Sequence, residues 1–77
     1  MNEMQVILND LNLVKQLAVI ADEEKLRILV SDGKETADAR DVLEMTKLNL
    51  HRPVYIDNVI NSERLNQFIA GILLSEI

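Results

Sequence analysis

Apolar and polar positions alternate along this chain with a spacing that reads first as helical. From Met4 to Ala21 there is no glycine or proline, and Met4, Ile7, Leu11, Val14, Ala18 and Ala21 recur at steps of three and four. That spacing predicts one helix with a short heptad-like seam, widened by Leu8. A second apolar set, Val6, Leu13, Leu17 and Ile20, falls roughly opposite the first at about 100° per residue. The polar strip between them is narrow: Gln5, Asn9, Asn12 and Gln16. A helix with two apolar faces needs two sets of neighbours. In so short a chain the second set is expected from another molecule. Val6, Leu13, Leu17 and Ile20 are therefore the expected subunit contact.

Asp22-Glu23-Glu24 places three acids where a new helix would start, at the positive end of its dipole. Leu26, Leu29 and Val30 would form its apolar face, and Gly33 its C-terminal stop. A strand over Leu26–Val30 followed by an Asp-Gly turn is the rival reading. It is set aside because no alternating partner strand follows Gly33. Thr36 or Asp38 can cap a further helix running to about Leu48, with Ala39, Val42, Leu43 and Met45 to Thr46 as its buried stripe. Pro53 breaks the chain and suits the first turn of a helix carrying Val54, Ile56, Val59 and Ile60. Asn61 or Ser62 can cap the last helix. There Leu65, Phe68, Ile69, Ile72 and Leu73 cover an arc of about 140°, with Leu74 pointing away. Whether 53–60 and 62–76 are one helix or two stays open. The expected fold is an all-α bundle of four to five short helices, a single helical domain over residues 1–77.

Composition supports the expectation of self-association. A chain of 77 residues buries too little surface to be very stable alone, and it has no cysteine with which to staple itself. A homo-oligomer, a dimer being the simplest, is the remaining common solution. No cofactor and no metal site is expected, since His51 is the single histidine. The net charge of −5 is concentrated in residues 22–44, with eight acids against four bases. Such a middle disfavours non-specific attraction to nucleic acid or an anionic membrane. The longest apolar run, Phe68–Leu74, has seven residues, against roughly 20 for a bilayer span. The N-terminus lacks the basic start of a signal peptide. A cytoplasmic protein is expected.

Catalytic chemistry finds no support. His51 has no cysteine or evident serine partner. Asp38, Asp41 and Glu44 lie at helical steps of three, which reads as a solvated edge. Asp32-Gly33 lacks the further acids of a calcium loop. Neither glycine sits in a phosphate-binding pattern, and Ser31, Ser62 and Ser75 lack nucleophile-elbow context. The chain is read as a non-enzyme.

Two functional readings follow. The first is a small interaction protein, an oligomeric adaptor, inhibitor or regulator that docks helices on a protein partner. In that reading Phe68, Ile69, Ile72, Leu73 and Leu74 are candidates to fill a partner's groove. The second rests on resemblance. Ile20-Ala21-Asp22-Glu23-Glu24-Lys25-Leu26-Arg27-Ile28-Leu29 is similar to the second helix of winged-helix repressors. Leu48-Asn49-Leu50-His51-Arg52-Pro53 resembles the turn of a helix-turn-helix, with Asn49 at the left-handed position. The resemblance covers about residues 18–60. It implies a wingless DNA-binding regulator reading bases with His51, Arg52, Tyr55 and Asn58. Only Lys47, Arg52 and Arg64 stand near as phosphate contacts, and Asp57 opposes them.

Overall fold

The computed structural model describes residues 3–57 and 62–76. It is a mixed α/β protein, and this corrects the expected all-α helical bundle. The elements run β1 (Glu3–Val6), α1 (Leu11–Glu23), β2 (Leu29–Ser31), β3 (Thr36–Asp38), α2 (Val42–Met45), β4 (Val54–Asp57), α3 (Glu63–Ala70) and β5 (Leu73–Glu76). The strands form one antiparallel sheet in the order β3-β2-β4-β1-β5.

The expected first helix divides at Asn9-Asp10. Before it, Met4, Val6 and Leu8 alternate inward and all are buried. That is the period of a strand with one covered face. Asp10 then caps α1, accepting a hydrogen bond from the Asn12 backbone N–H at 2.9 Å. The helix expected over 22–33 does not form. Asp22 and Glu23 belong to the last turn of α1, near the negative end of its dipole, where acids are unfavourable. Ion pairs offset this: Arg40 meets Asp22 at 2.8 Å, and Arg64 meets Glu23 at 2.6 Å. The helix ends in a Schellman turn. Leu26 N–H donates to the Ala21 carbonyl at 2.8 Å and Lys25 N–H to that of Asp22 at 3.3 Å. Lys25 takes the left-handed conformation there, with φ of 53°.

The rival strand reading of the next segment is the one realised, shifted towards Ser31. β2 and β3 make a hairpin across Asp32–Glu35, with Gly33 at φ +96°. The expected third helix becomes β3 and the short α2. Ala37, the inward residue of β3, and Ala39, just after the strand, are both buried. The helix expected from Pro53 becomes β4, with Val54 and Ile56 buried and Tyr55 between them half-buried. Val59 and Ile60 lie outside the described residues. The last helix starts at its expected Ser62 cap, whose Oγ accepts the Leu65 N–H at 3.3 Å. It stops at Ala70, and Leu73 and Leu74 enter β5.

The connectivity is two interlocked split β-α-β units. In one, β1-α1-β2 leaves a gap that β4 fills. In the other, β4-α3-β5 leaves a gap that β1 fills. Buried residues of the sheet (Met4, Val6, Val30, Val54 and Ile56) and of the helices (Val14, Leu17, Ala21, Leu65 and Ile69) share one core cluster. One sheet face is thus covered. Across the other runs a register row of Thr36, Ser31, Tyr55 and Gln5, hydroxyls and an amide that water can wet. No helix among the described residues is long and apolar enough to cross a membrane.

Candidate functional site

The residues expected to face another subunit are in the core. Val6, Leu17 and Ile20 are buried, and Leu13 is partly buried against them. The second apolar face of α1 is covered by the chain's own sheet and by α3. This corrects the subunit contact inferred from the sequence. The candidate groove-fillers divide in the same way. Ile69 and Ile72 are buried, Phe68 is half-buried, and Leu73 is 37% exposed on β5. The Leu74 side chain lies outside the described residues.

Of the residues expected to read DNA, His51, Arg52 and Tyr55 are not on a helix. His51 and Arg52 are exposed in the loop between α2 and β4. The His51 N–H donates to Asn49 Oδ1 at 3.3 Å. Tyr55 sits in β4 on the wettable sheet face, and Asn58 lies outside the described residues. The recognition helix that the resemblance implied is replaced by a loop and a strand.

Among the described residues the exposed large apolar side chains are Leu29 and Leu73 in strands and three on the outer side of the helices. Leu11 is 50% exposed, Val19 48% and Leu43 79%. Leu11, Lys15 and Val19 stand at steps of four, one stripe along α1. Val19 and Ala18 border a shallow groove whose other wall is Val42 of α2, with Lys15, Asp22 and Arg40 at its rim. Val42 and Leu43 border the next depression, together with Asp38 and Asp41. Val42 lines both depressions and so links Val19 of α1 to Leu43 of α2 in one ridge, with Asp22 and Arg40 at the rim of both. The sequence pattern placed Leu43 inside and did not single out Val19. The available signal was that Val19 continues the polar stripe Asn12–Gln16. An apolar side chain on a polar stripe is a surface feature.

Local chemistry holds α2 in place beside this ridge. The Asp41 carboxylate caps α2 by accepting the Glu44 N–H at 3.1 Å. Asp32 ties the hairpin to the end of α2. Its Oδ1 accepts from Lys34 N–H at 2.9 Å and Glu35 N–H at 2.8 Å, and its Oδ2 from Asn49 N–H at 3.0 Å. The bond from Asn49, followed by those from Glu35 and Lys34, stabilises the ionised carboxylate and lowers its pKa to about 2. These carboxylates are engaged in holding backbone. Among the described residues no cluster of His, Cys, Asp or Glu has the form of a metal site.

Comparison with family models, with curated proteins and with solved structures gave no match, so the surface is read from its own geometry.

Proposed function

We propose that this chain is a small non-enzymatic interaction protein that docks a protein partner on the α1–α2 ridge. The observation that carries the reading is the outward placement of Leu11, Val19 and Leu43. Scattered apolar residues on a surface need no explanation, but a connected patch rimmed by polar groups is characteristic of an interaction site. Here Lys15, Arg40, Asp22 and Asp41 supply that rim. Buried apolar anchors within a polar rim are the usual source of binding energy. Action in the cytoplasm is part of this reading, supported by the lack of cysteine in the sequence.

The test is crosslinking of the purified chain in extract of its native host, with mass spectrometry of the captured species. The parent should capture a defined protein. Val19→Asp and Leu43→Asp should lose it while keeping the parent's thermal midpoint. Capture that survives both substitutions removes the ridge from consideration. Sedimentation of the chain alone separates a second copy from a different protein as the occupant.

A further inference from the structure

Leu43 also stands at the mouth of a second groove, between β3 and α2. Its walls are Glu35 and Thr36 on one side and Asp41, Glu44 and Lys47 on the other, with Leu48 beneath. Leu48 is buried and closes the floor with apolar surface. Three carboxylates therefore face one ammonium. None of the four charges belongs to either ion pair found among the described residues, which are Arg40–Asp22 and Arg64–Glu23. The groove thus combines an exposed aliphatic knob, an apolar floor and unneutralised negative charge. Complementarity at an interface demands the opposite arrangement on the partner.

We propose that this groove seats a basic segment of the partner, with an aliphatic or aromatic side chain packed on Leu43 and lysine or arginine side chains facing Glu35, Asp41 and Glu44. The proposal rests on the reading of the α1–α2 ridge as an interaction surface and names the chemistry of what binds at its α2 end. Asp41 keeps its capping bond to the Glu44 N–H in this arrangement, because a carboxylate accepts more than one hydrogen bond. Long-range attraction would come from residues 22–44, where acids outnumber bases by eight to four.

The probe is a set of labelled synthetic peptides with identical apolar residues, whose remaining positions are all lysine, all glutamine or all glutamate. Binding is read by fluorescence anisotropy across a salt series. The lysine set should bind most tightly and weaken as salt rises. Glu35→Gln and Glu44→Gln should each weaken it roughly threefold, the range of exposed charge pairs. Leu43→Ala should weaken it roughly tenfold, as for a partly desolvated anchor. Each variant is first matched to the parent by thermal melting. Equal binding of the three sets, preference for glutamate, absence of binding by the lysine set, or indifference to Leu43 overturns the proposal. If host capture still depends on Val19 and Leu43 in that event, the ridge stands and only the basic chemistry is wrong. If capture is indifferent to both residues as well, the ridge itself is wrong.

Discussion

The two sides of α1 use the same kinds of residue for opposite ends. Val14, Leu17 and Ala21 are closed off from water, while Leu11 and Val19, on the same thirteen-residue helix, remain about half exposed. Leucine and valine therefore do not declare their role by type. The inner residues have β-strands to pack on, and the outer ones only the short α2 and solvent. The difference separates side chains that hold the fold together from side chains whose burial awaits another molecule.

The inner side gives the largest expected effect. Leu17→Ala removes a fully buried side chain from the cluster joining helix to sheet, and should cost about 2–5 kcal/mol. Urea unfolding measures it. A loss close to zero would erase the contrast between the two sides. The next effect is read in pH. Asp32 has its pKa lowered to about 2 in the folded chain, against an unperturbed 3.8. A carboxylate depressed on folding stabilises above its unfolded pKa, and that contribution disappears as pH falls from about 4 to about 2. Asp32→Asn should flatten the fall in melting temperature across that window. An unchanged profile would mean that the hairpin and α2 are held without this charge.

Smaller effects come from the end of the helix. Lys25→Gly should stabilise by about 1 kcal/mol, since glycine enters the left-handed region without the steric penalty of a Cβ. Arg40→Ala breaks an ion pair whose partners are 47% and 69% exposed, and should cost less than about 0.5 kcal/mol. Val19→Ser should sit at the bottom of the series, within about 0.5 kcal/mol of the parent. Its consequence is expected in partner capture alone. A Val19→Ser variant that unfolds would place this residue with the inner set and leave the ridge with Leu11 and Leu43.

Parts of the architecture are legible residue by residue. The inward residues Val14, Ala18 and Ala21, the Ser62 cap and the Leu65–Ile69 stripe follow from helical spacing and capping chemistry, whereas Leu17, read as facing another subunit, is buried with them. The Asp32-Gly33 turn is visible too. Its neighbouring strand was hidden because β3 is three residues long and its one buried residue, Ala37, is too weakly apolar to mark a period of two. β1 misled in another way. Met4 and Ile7 continue the steps of three and four, while Met4, Val6 and Leu8 equally fit alternation. A segment this short satisfies both periods, and only its neighbours decide between them. Of the candidate surface, the sequence showed an excess of apolar side chains on α1 and located that excess on the wrong side.

What the sequence determined by itself is the quantity of apolar surface, the acidic middle of the chain, and the turn and cap signals that punctuate it. These depend on composition and on neighbours within one helical turn. Only the tertiary structure decided which apolar face of α1 is covered. Strand β4, from Val54 to Asp57, must enter between β1 and β2, pairing with Glu3–Val6 and with Val30 and Ser31. Those pairings join residues roughly 25 and 50 positions apart, so no local window contains the partner that satisfies each strand's backbone. Once the sheet is assembled, its inward residues and those of α1, Val14, Leu17 and Ala21, share one core. That Val19 and Leu43 are among the apolar residues left outside is decided by that assembly.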